Sequence, residues 1–276
     1  MQINRLGTEI GAEILGVDVC HLSTSEFEKI YQTWLENNII AVRDQNLTIP
    51  EFLHYSKRFG ILHEHPSKST RHPDHAELTV LGIDKFDSEG NLITAVYKRG
   101  GETWHTDGAY DEIPFKGTQL YALAIPSVGG DTLFASMYAA YEALPDALKN
   151  ELEGKMAAFT YGGRTQKSNA LLNAEDRDWA AVCHPLVSEH PETKRRRLYF
   201  DPGKILRVEG MSHASSEALI EELTGYMIQP QAQYRHVWRK GDIVIWDNRC
   251  CYHKAAADYP PEEDRIHWRV SIKPSA

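Results

Sequence analysis

The chain has 276 residues, of which 42% are hydrophobic and 10% aromatic, so it carries enough apolar material for a substantial core. Its formal charge of −9 argues against a polyanion such as nucleic acid as a partner. We find no apolar run approaching the roughly 18–20 residues of a membrane span and no charged-then-apolar leader, so we expect neither membrane insertion nor secretion.

The chain shows no clear internal boundary, and we expect a single domain over residues 1–276. Its cysteines show no Cys-x-x-Cys spacing, and the adjacent pair is poorly placed to form a bridge with itself. They are Cys20, Cys183, Cys250 and Cys251. Reduced thiols of this kind are typical of a cytoplasmic protein, and we leave the two cysteines near His253 out of any metal site because free cysteine is more often a small buried residue.

Two helices with capping boxes are predicted in the first quarter of the chain. The first begins at Ser25, with Glu28 three residues later, and the second follows Thr48, with Glu51 three residues later. The apolar residues at helical spacing are Phe27, Ile30, Tyr31 and Trp34 in the first helix and Phe52, Tyr55 and Phe59 in the second. We interpret both as structural helices that pack on a core.

Short apolar runs bounded by Gly, Pro or Asp predict strands along the rest of the chain. These runs are residues 39–42, 78–81, 120–123, 132–134, 197–200 and 243–246. Many short strands without an internal repeat favour a closed or sandwiched β core. The turn over residues 239–242 is predicted to be a hairpin that leads into the last of these strands.

Two long segments, residues 84–101 and 162–177, lack clear periodicity. Each is a candidate for a mobile lid over a functional site, with disorder as an equal alternative. The basic run over residues 194–197 is interpreted as a solvated turn.

The segment Trp104-His105-Thr106-Asp107 contains a His-x-Asp pair. On an extended strand, residues two apart face the same side with about 6–7 Å between their Cα atoms, so His105 and Asp107 can share one metal ion. His253 from the later segment 246–253 supplies a third ligand. Two imidazoles and one carboxylate on one face of an octahedral ferrous ion leave the opposite face open for chemistry, and we interpret the three as catalytic metal ligands.

Other histidines offer a rival metal site. His63 and His65 also share one strand face, and His72 and His75 follow closely, but no third ligand segment accompanies them. We interpret His63, His72 and His75 as ordinary surface or capping histidines.

Two arginines near the end of the chain, Arg265 and Arg269, are four residues apart. On a regular strand both would face the interior, where an unpaired cation is costly and a bound anion would relieve the cost. A guanidinium also matches carboxylate and sulfonate groups bidentately. The alternative is surface pairing with Glu262, Glu263 or Asp264.

Taken together, these motifs resemble the taurine dioxygenase / 2,4-dichlorophenoxyacetate dioxygenase (TauD/TfdA) family of Fe(II)- and 2-oxoglutarate-dependent oxygenases. The resemblance extends over most of the chain, through Gly11-Ala12-Glu13-Ile14, Phe59-Gly60, the iron motifs, Gly129-Gly130-Asp131-Thr132 and the arginine segment. It implies a mainly β fold with flanking helices around a double-stranded β-helix, the cupin-like jelly roll, with iron at the barrel mouth.

The resemblance also implies roles for individual residues. His105, Asp107 and His253 would bind Fe(II), and Thr132 with Arg265 would hold the distal carboxylate of 2-oxoglutarate. Arg269 and His65 would bind the anionic group of the substrate. Dioxygen would be the second co-substrate, and succinate and CO2 would be released as a substrate C–H bond is hydroxylated.

Departures from the family pattern concern the substrate. Lys68 stands where taurine enzymes place a tyrosine, and Gly101 lies near the position of an asparagine, so taurine itself is disfavoured. The insert over residues 86–101, which contains Lys98 and Arg99, would change the pocket wall and favour a larger or more acidic substrate; the alternative is that both charges are solvated. Related halogenases replace the Asp107 carboxylate with a small residue, so halogenation is not expected.

Three functions therefore remain open. The first is hydroxylation of a small anionic substrate such as a sulfonate, an aryloxyalkanoate or a related carboxylate. The second is hydroxylation or desaturation of an amino-acid-derived metabolite, and the third is a non-catalytic cupin-like metal-binding module. In each case we expect a cytoplasmic homo-oligomer, a dimer or a tetramer.

Overall fold

The computed structural model describes residues 1–65, 71–82, 101–164 and 180–275. The helices are α1 (Thr24–Asn37), α2 (Ile49–Lys57), α3 (Met137–Glu142), α4 (Asp146–Leu152) and α5 (His213–Tyr226), with short 3-10 turns at Val19–His21 and Pro230–Ala232. The strands are β1 (Gln2–Arg5), β2 (Ala12–Leu15), β3 (Ile39–Val42), β4 (Ile61–His63), β5 (Arg71–His72), β6 (His75–Leu81), β7 (Gly117–Ala124), β8 (Thr132–Ser136), β9 (Met156–Phe159), β10 (Val182–Pro185), β11 (Val187–Glu189), β12 (Arg196–Leu198), β13 (Ile205–Val208), β14 (Gln233–His236), β15 (Ile243–Asp247), β16 (Cys251–Ala255) and β17 (Ile266–Lys273). Nearly all of both candidate lid segments falls outside the described residues.

The large sheet has the strand order β1-β2-β3-β15-β7-β17-β6-β5, with β4 also paired to β17. Its pairings are antiparallel except for β2 with β3. One face packs on α1 and α2 through residues such as Trp34, Phe52 and Ile245. The sheet therefore has a helical layer on its outer side.

A small sheet, β14-β8-β16, faces the other side of the large one. A second cluster fills the space between them and includes Leu120 and Val244 from the large sheet and Phe134 and Cys251 from the small sheet. Because β15 is covered on both faces, its residues are all buried and read as a continuous apolar run. These facing sheets form the jelly-roll core, which confirms the fold expected from the sequence.

A further apolar layer lies beside the jelly roll. It combines α3, α4 and α5 with the small sheet β10-β9-β13 and with the β11-β12 hairpin. This layer carries Asp201, which contacts the backbone next to His105.

The two capping boxes near the start of the chain differ in how well they were predicted. The box of α2 lies at Thr48 and Glu51, as predicted. The start of α1 was wrong, because Ser23 caps the helix and pairs with Glu26. Ser23 and Ser25 each have an acidic residue three positions later, so the spacing alone could not distinguish them.

All six predicted strand runs overlap observed strands. The hairpin at residues 239–242 is wrong, because β14 before it and β15 after it belong to different sheets. A tight turn does form there, with Gly241 at φ +86° and the Asp242 amide donating to the Arg239 carbonyl. The turn carries the chain from the small sheet to the large one.

The basic run closes the β11-β12 hairpin, where Lys194 adopts a left-handed φ of 61°. Arg195 and Arg196 pair with Glu142 and Glu153 at the surface, so the prediction of a solvated turn is confirmed for them.

All four cysteines are free. Among the described helices, none has the length and apolar character required to cross a membrane.

Candidate metal and co-substrate site

His105 and His253 lie side by side where the chain segment before β7 meets β16. Each backbone amide donates to the other residue's carbonyl, at 3.1 and 2.9 Å, and the ring centroids are 4.1 Å apart. Residues 104–107 do not form the regular strand that the sequence predicted; His105 makes an isolated bridge and Asp107 begins a turn. Pairing with His253, rather than strand alternation alone, therefore positions the first histidine.

Asp107 completes the group. Its Oδ1 lies 3.9 Å from His105 Nε2, and its Oδ2 lies 3.6 Å from His253 Nε2. Two bonds of about 2.1 Å to a common ion allow ligand atoms to be up to about 4.2 Å apart. One ligand atom from each of the three side chains that the sequence singled out lies within 4.8 Å of the other two, so the group could hold one metal ion.

The orientation of the two imidazoles also suits a metal. His105 Nδ1 lies 2.7 Å from the carbonyl oxygen of Thr103 and donates to it, so in the neutral ring Nε2 is the free nitrogen and lies on the side of Asp107. Burial and the neighbouring His105 lower the pKa of His253 well below its usual range. Both rings can thus present a neutral nitrogen lone pair.

Asp107 is held as a carboxylate. Burial alone would raise its pKa, but Arg269, the two histidines and a hydrogen bond from Thr118 together hold the pKa well below its usual range. Thr118 Oγ1 donates to Asp107 Oδ2 at 2.6 Å and accepts from Asn248 Nδ2 at 2.9 Å. Sequence reasoning missed both residues: Thr118 carries no motif, and Asn248 stood in the 246–253 segment without an assigned role.

The backbone between the two early ligands is fixed by Thr106. Its hydroxyl donates to the Asn248 carbonyl at 2.7 Å, and its amide donates to Asp201 Oδ2 at 3.1 Å. Asp201 is completely buried, and burial raises its pKa. Contacts from two distant segments thus orient His105 and Asp107, and sequence analysis gave no signal for Asp201.

Another group of metal-ligand types in the described part of the chain, His190, Asp247 and Cys250, has a different role. Asp247 accepts two hydrogen bonds from the guanidinium of Arg249, at 2.8 and 2.6 Å, and lies 3.0 Å from His190 Nε2. Its oxygens are already used, and the neighbouring cation would repel a metal ion. The group anchors the loop between β15 and β16.

The sequence also offered His63 and His65 as a rival metal site. Within the described residues, this pair is not part of any cluster of three potential metal ligands.

Thr132 and Arg265, predicted to hold a carboxylate, also lie together. Arg265 Nη2 donates to Thr132 Oγ1 at 3.2 Å and Nε donates to the Gly130 carbonyl at 2.5 Å. Thr132 Oγ1 accepts a second bond from Trp238 Nε1 at 3.0 Å. With both lone pairs engaged, this hydroxyl still has its proton to donate to an anion.

Arg265 is a partly buried cation, and burial lowers its pKa to about 10, against opposing effects of Tyr259 and Asp131. The alternative of surface pairing does not describe it, since Glu263 instead bonds Ser127. A bound carboxylate would compensate for the lost hydration of the guanidinium.

Arg265 immediately precedes β17, and Arg269 lies on that strand with 15% of its side chain exposed. Arg269 Nη2 is 3.0 Å from Asp107 Oδ2, so it sits directly beside the metal ligands. His65 precedes residues 66–70, which are outside the described range together with Lys68, and the His65 carbonyl accepts from Arg71 Nε at 2.7 Å. The grouping of His65 with Arg269 stays a prediction.

The sequence model of the family described as "Taurine catabolism dioxygenase TauD, TfdA family" matches residues 2–271. The chain belongs to this family. It is therefore a 2-oxoglutarate-dependent dioxygenase, and the non-catalytic metal-binding module is excluded.

Similar proteins agree with this assignment. The (S)-phenoxypropionate/alpha-ketoglutarate-dioxygenase of Sphingobium herbicidovorans is 32% identical over 277 residues, covering 97% of this chain and 93% of that protein. The alpha-ketoglutarate-dependent 2,4-dichlorophenoxyacetate dioxygenase of Cupriavidus pinatubonensis is 30% identical and covers 84% of each chain. The crystal structure of a taurine dioxygenase from Burkholderia xenovorans has a TM-score of 0.82 and 28% identity, and the match covers 99% of this chain and 89% of that one.

Proposed function

We propose that this TauD/TfdA-family dioxygenase binds Fe(II) through His105, Asp107 and His253 and holds the distal carboxylate of 2-oxoglutarate with Thr132 and Arg265. The convergence of two imidazoles and one carboxylate within reach of a single ion carries the proposal. Nitrogen and carboxylate donors with open positions suit ferrous iron. We further propose that one domain spanning residues 1–276 contains the whole site.

When bound, iron and 2-oxoglutarate with dioxygen supply the oxidation, releasing succinate and CO2. The residues of this chain position the reactants. Thr118 and Asn248 hold Asp107, and the Thr103 carbonyl fixes the His105 tautomer. Arg265 and Thr132 orient the co-substrate through two donors, which fixes its reactive end relative to the metal ligands.

We propose that the primary substrate is a small organic anion bound beside Arg269 and His65. Tyr110 and Tyr161 meet edge to face at 5.0 Å, and Lys204 Nζ lies 4.5 Å from the Tyr161 ring. Arg269 interacts electrostatically with both tyrosines. Aromatic rings beside buried cations suit an anion with an aromatic body, which favours an aryloxyalkanoate over taurine.

This preference agrees with the names of the phenoxypropionate and 2,4-dichlorophenoxyacetate relatives. Hydroxylation of the carbon that bears the ether oxygen would give a hemiketal or hemiacetal. That product collapses to a phenol and a carbonyl compound without a further oxidant. Sulfonates and alkyl sulfates are the competing anions.

The test is a substrate screen in which the two arginines are replaced one at a time. Anaerobic Fe(II)·2-oxoglutarate complexes are titrated with aryloxyalkanoates, sulfonates, alkyl sulfates and amino acid derivatives, and the charge-transfer absorbance is followed for a substrate-induced shift. We expect Arg269→Ala to lose the shift while retaining 2-oxoglutarate binding, and Arg265→Ala to lose 2-oxoglutarate binding. Succinate and product mass then identify the reaction.

Because Arg269 contacts Asp107, metal affinity is measured separately for each variant. The proposed division between the two arginines is wrong if both variants lose the same binding step. Absence of Fe(II)-dependent succinate formation with every anion would contradict the proposed substrate class.

We also propose a cytoplasmic location and a homo-oligomeric state, either dimer or tetramer. The four free thiols support the cytoplasmic location. Light scattering of the purified protein measures the oligomeric state.

A further inference from the structure

The inner face of β17 carries another polar residue, His267, between Arg265, which immediately precedes the strand, and Arg269, which lies on it. The neighbour of His267, Trp268, lies on the other side of the strand and packs in the layer with α1 and α2. The His267 side chain is completely buried and faces the small sheet, where its ring meets Trp238 at a centroid distance of 4.5 Å. It therefore lies on the side of the sheet that holds Arg265.

Neither ring nitrogen of His267 has a hydrogen-bond partner among the described residues. Burial, then Arg265 and His236, lower its pKa well below the usual range, so the ring is neutral. A neutral imidazole has one N–H to donate and one nitrogen to accept with. Leaving both unsatisfied in the interior costs stability, and such a residue calls for an explanation.

The groups nearby do not satisfy that donor. The Trp238 N–H and Arg265 Nη2 both donate to Thr132 Oγ1, and Arg265 Nε donates to the Gly130 carbonyl. These groups thus present donors beside the positive charge of Arg265. A carboxylate bound there would accept from the His267 N–H and pair with the Arg265 guanidinium.

We propose that His267 is a specificity-determining residue that donates its ring N–H to the distal carboxylate of 2-oxoglutarate, beside Arg265 and Thr132. This inference rests on the proposed co-substrate site. The additional donor makes affinity depend on the second carboxylate of the 2-oxo acid. It distinguishes 2-oxoglutarate from a monocarboxylate of equal chain length.

The test compares 2-oxoglutarate with 2-oxopentanoate, which lacks the distal carboxylate. Binding to the Mn(II)-loaded protein is measured by calorimetry for the wild type, His267→Leu and His267→Gln. A hydrogen bond to a charged group predicts a loss of about 10- to 100-fold in 2-oxoglutarate affinity for His267→Leu, and little change for 2-oxopentanoate. Glutamine keeps an N–H donor and is expected to restore part of the affinity.

Gln119→Leu is the matched control. Gln119 is also completely buried with both amide atoms unpartnered among the described residues, but it lies on β7 next to Ile245 and Val270, on the helix-facing side of the sheet. We expect this variant to bind both 2-oxo acids as the wild type does.

Equal losses for the two 2-oxo acids would make His267 merely structural, and unchanged 2-oxoglutarate affinity in His267→Leu would overturn the proposal. The Arg265→Ala variant tests the co-substrate site separately. If this variant loses 2-oxoglutarate binding, the proposed site is supported whatever the result for His267, and if it binds 2-oxoglutarate as the wild type does, the proposed site is wrong.

If His267→Leu does not fold, histidine ring-nitrogen NMR of the Zn(II)-loaded wild type provides the test. The proposal requires a hydrogen-bonded N–H signal from His267 with 2-oxoglutarate and none with 2-oxopentanoate.

Discussion

Asp107, a proposed metal ligand, shows how much surrounding structure is needed to hold one carboxylate in place. Its Oδ2 accepts from Thr118 and lies 3.0 Å from Arg269 Nη2, while its backbone amide lies 3.4 Å from Asn248 Oδ1. A free aspartate at the surface would rotate among several rotamers. The hydrogen bonds hold the carboxylate in one position, with its charge available to a cation.

We predict that Thr118→Val weakens Mn(II) or Fe(II) binding by about 10- to 100-fold, because loss of a hydrogen bond to a metal ligand lets the ligand move. Calorimetry under anaerobic conditions measures the dissociation constant. Thr33→Val is the matched control, since the Thr33 hydroxyl bonds only the Lys29 carbonyl within α1 among its described contacts. Equal metal affinity in the wild type and Thr118→Val would show that Thr118 does not position Asp107.

Among the secondary structure elements, β17 contributes most to the proposed binding sites. Strand alternation places His267 and Arg269 on the inner face, and Arg265 immediately before the strand reaches Thr132 on β8. The outer face carries Trp268, Val270 and Ile272 into the helix-covered core. One strand thus links the hydrophobic core to both anion sites.

The start of α1 gives a second prediction, on the stability of this helix. Ser23→Ala removes the hydroxyl that accepts from the Glu26 amide, and we expect unfolding free energy to fall by about 1 kcal/mol. Ser25→Ala should change it by less than about 0.5 kcal/mol. Urea unfolding of both variants measures the difference, and a larger loss in Ser25→Ala would place the cap at Ser25 after all.

For the molecule as a whole, the site is built at the expense of stability. Arg265 is partly buried, and no carboxylate within the described residues forms an ion pair with it. Burial lowers its folded pKa to about 10, below the ordinary arginine value. The cost of burying the charge is therefore fully present below a pH of about 10, falls as the pH rises from there towards the ordinary arginine pKa, and is absent above it.

We predict that Arg265→Met raises the unfolding free energy of the ligand-free protein at pH 7.5 by about 1–3 kcal/mol. The same variant should lose the increase in Tm that Mn(II) with 2-oxoglutarate gives the wild type. Urea unfolding and a thermal scan with and without ligand measure the two effects.

Arg269→Met is the comparison for this prediction. Arg269 is paired with Asp107, so its removal leaves a buried carboxylate without its partner and should lower the unfolding free energy. If Arg265→Met were as destabilised as Arg269→Met, the Arg265 guanidinium would be serving the fold rather than the co-substrate.

Much of the fold was predictable from the chain because its signals are local. The apolar runs at residues 39–42 and 243–246 are strands because each is short, apolar and bounded by turn residues, and the Thr48 capping box starts a helix as expected. The His-x-Asp pair and the two arginines stood out for a similar reason. In each case, side chains that can bind a metal ion or an anion occur at a characteristic spacing within a few residues.

Tertiary structure decided the rest, because those contacts join residues far apart in sequence. The sequence could not tell that the turn at Gly241 passes between two sheets, nor that Thr118, Asn248 and Asp201 converge on the proposed metal ligands. The burial of His267 beside Arg265 and Trp238 was equally hidden. The sequence by itself determined which side chains can do the chemistry, whereas the packing of two sheets determined which neighbours hold them and how water is kept from them.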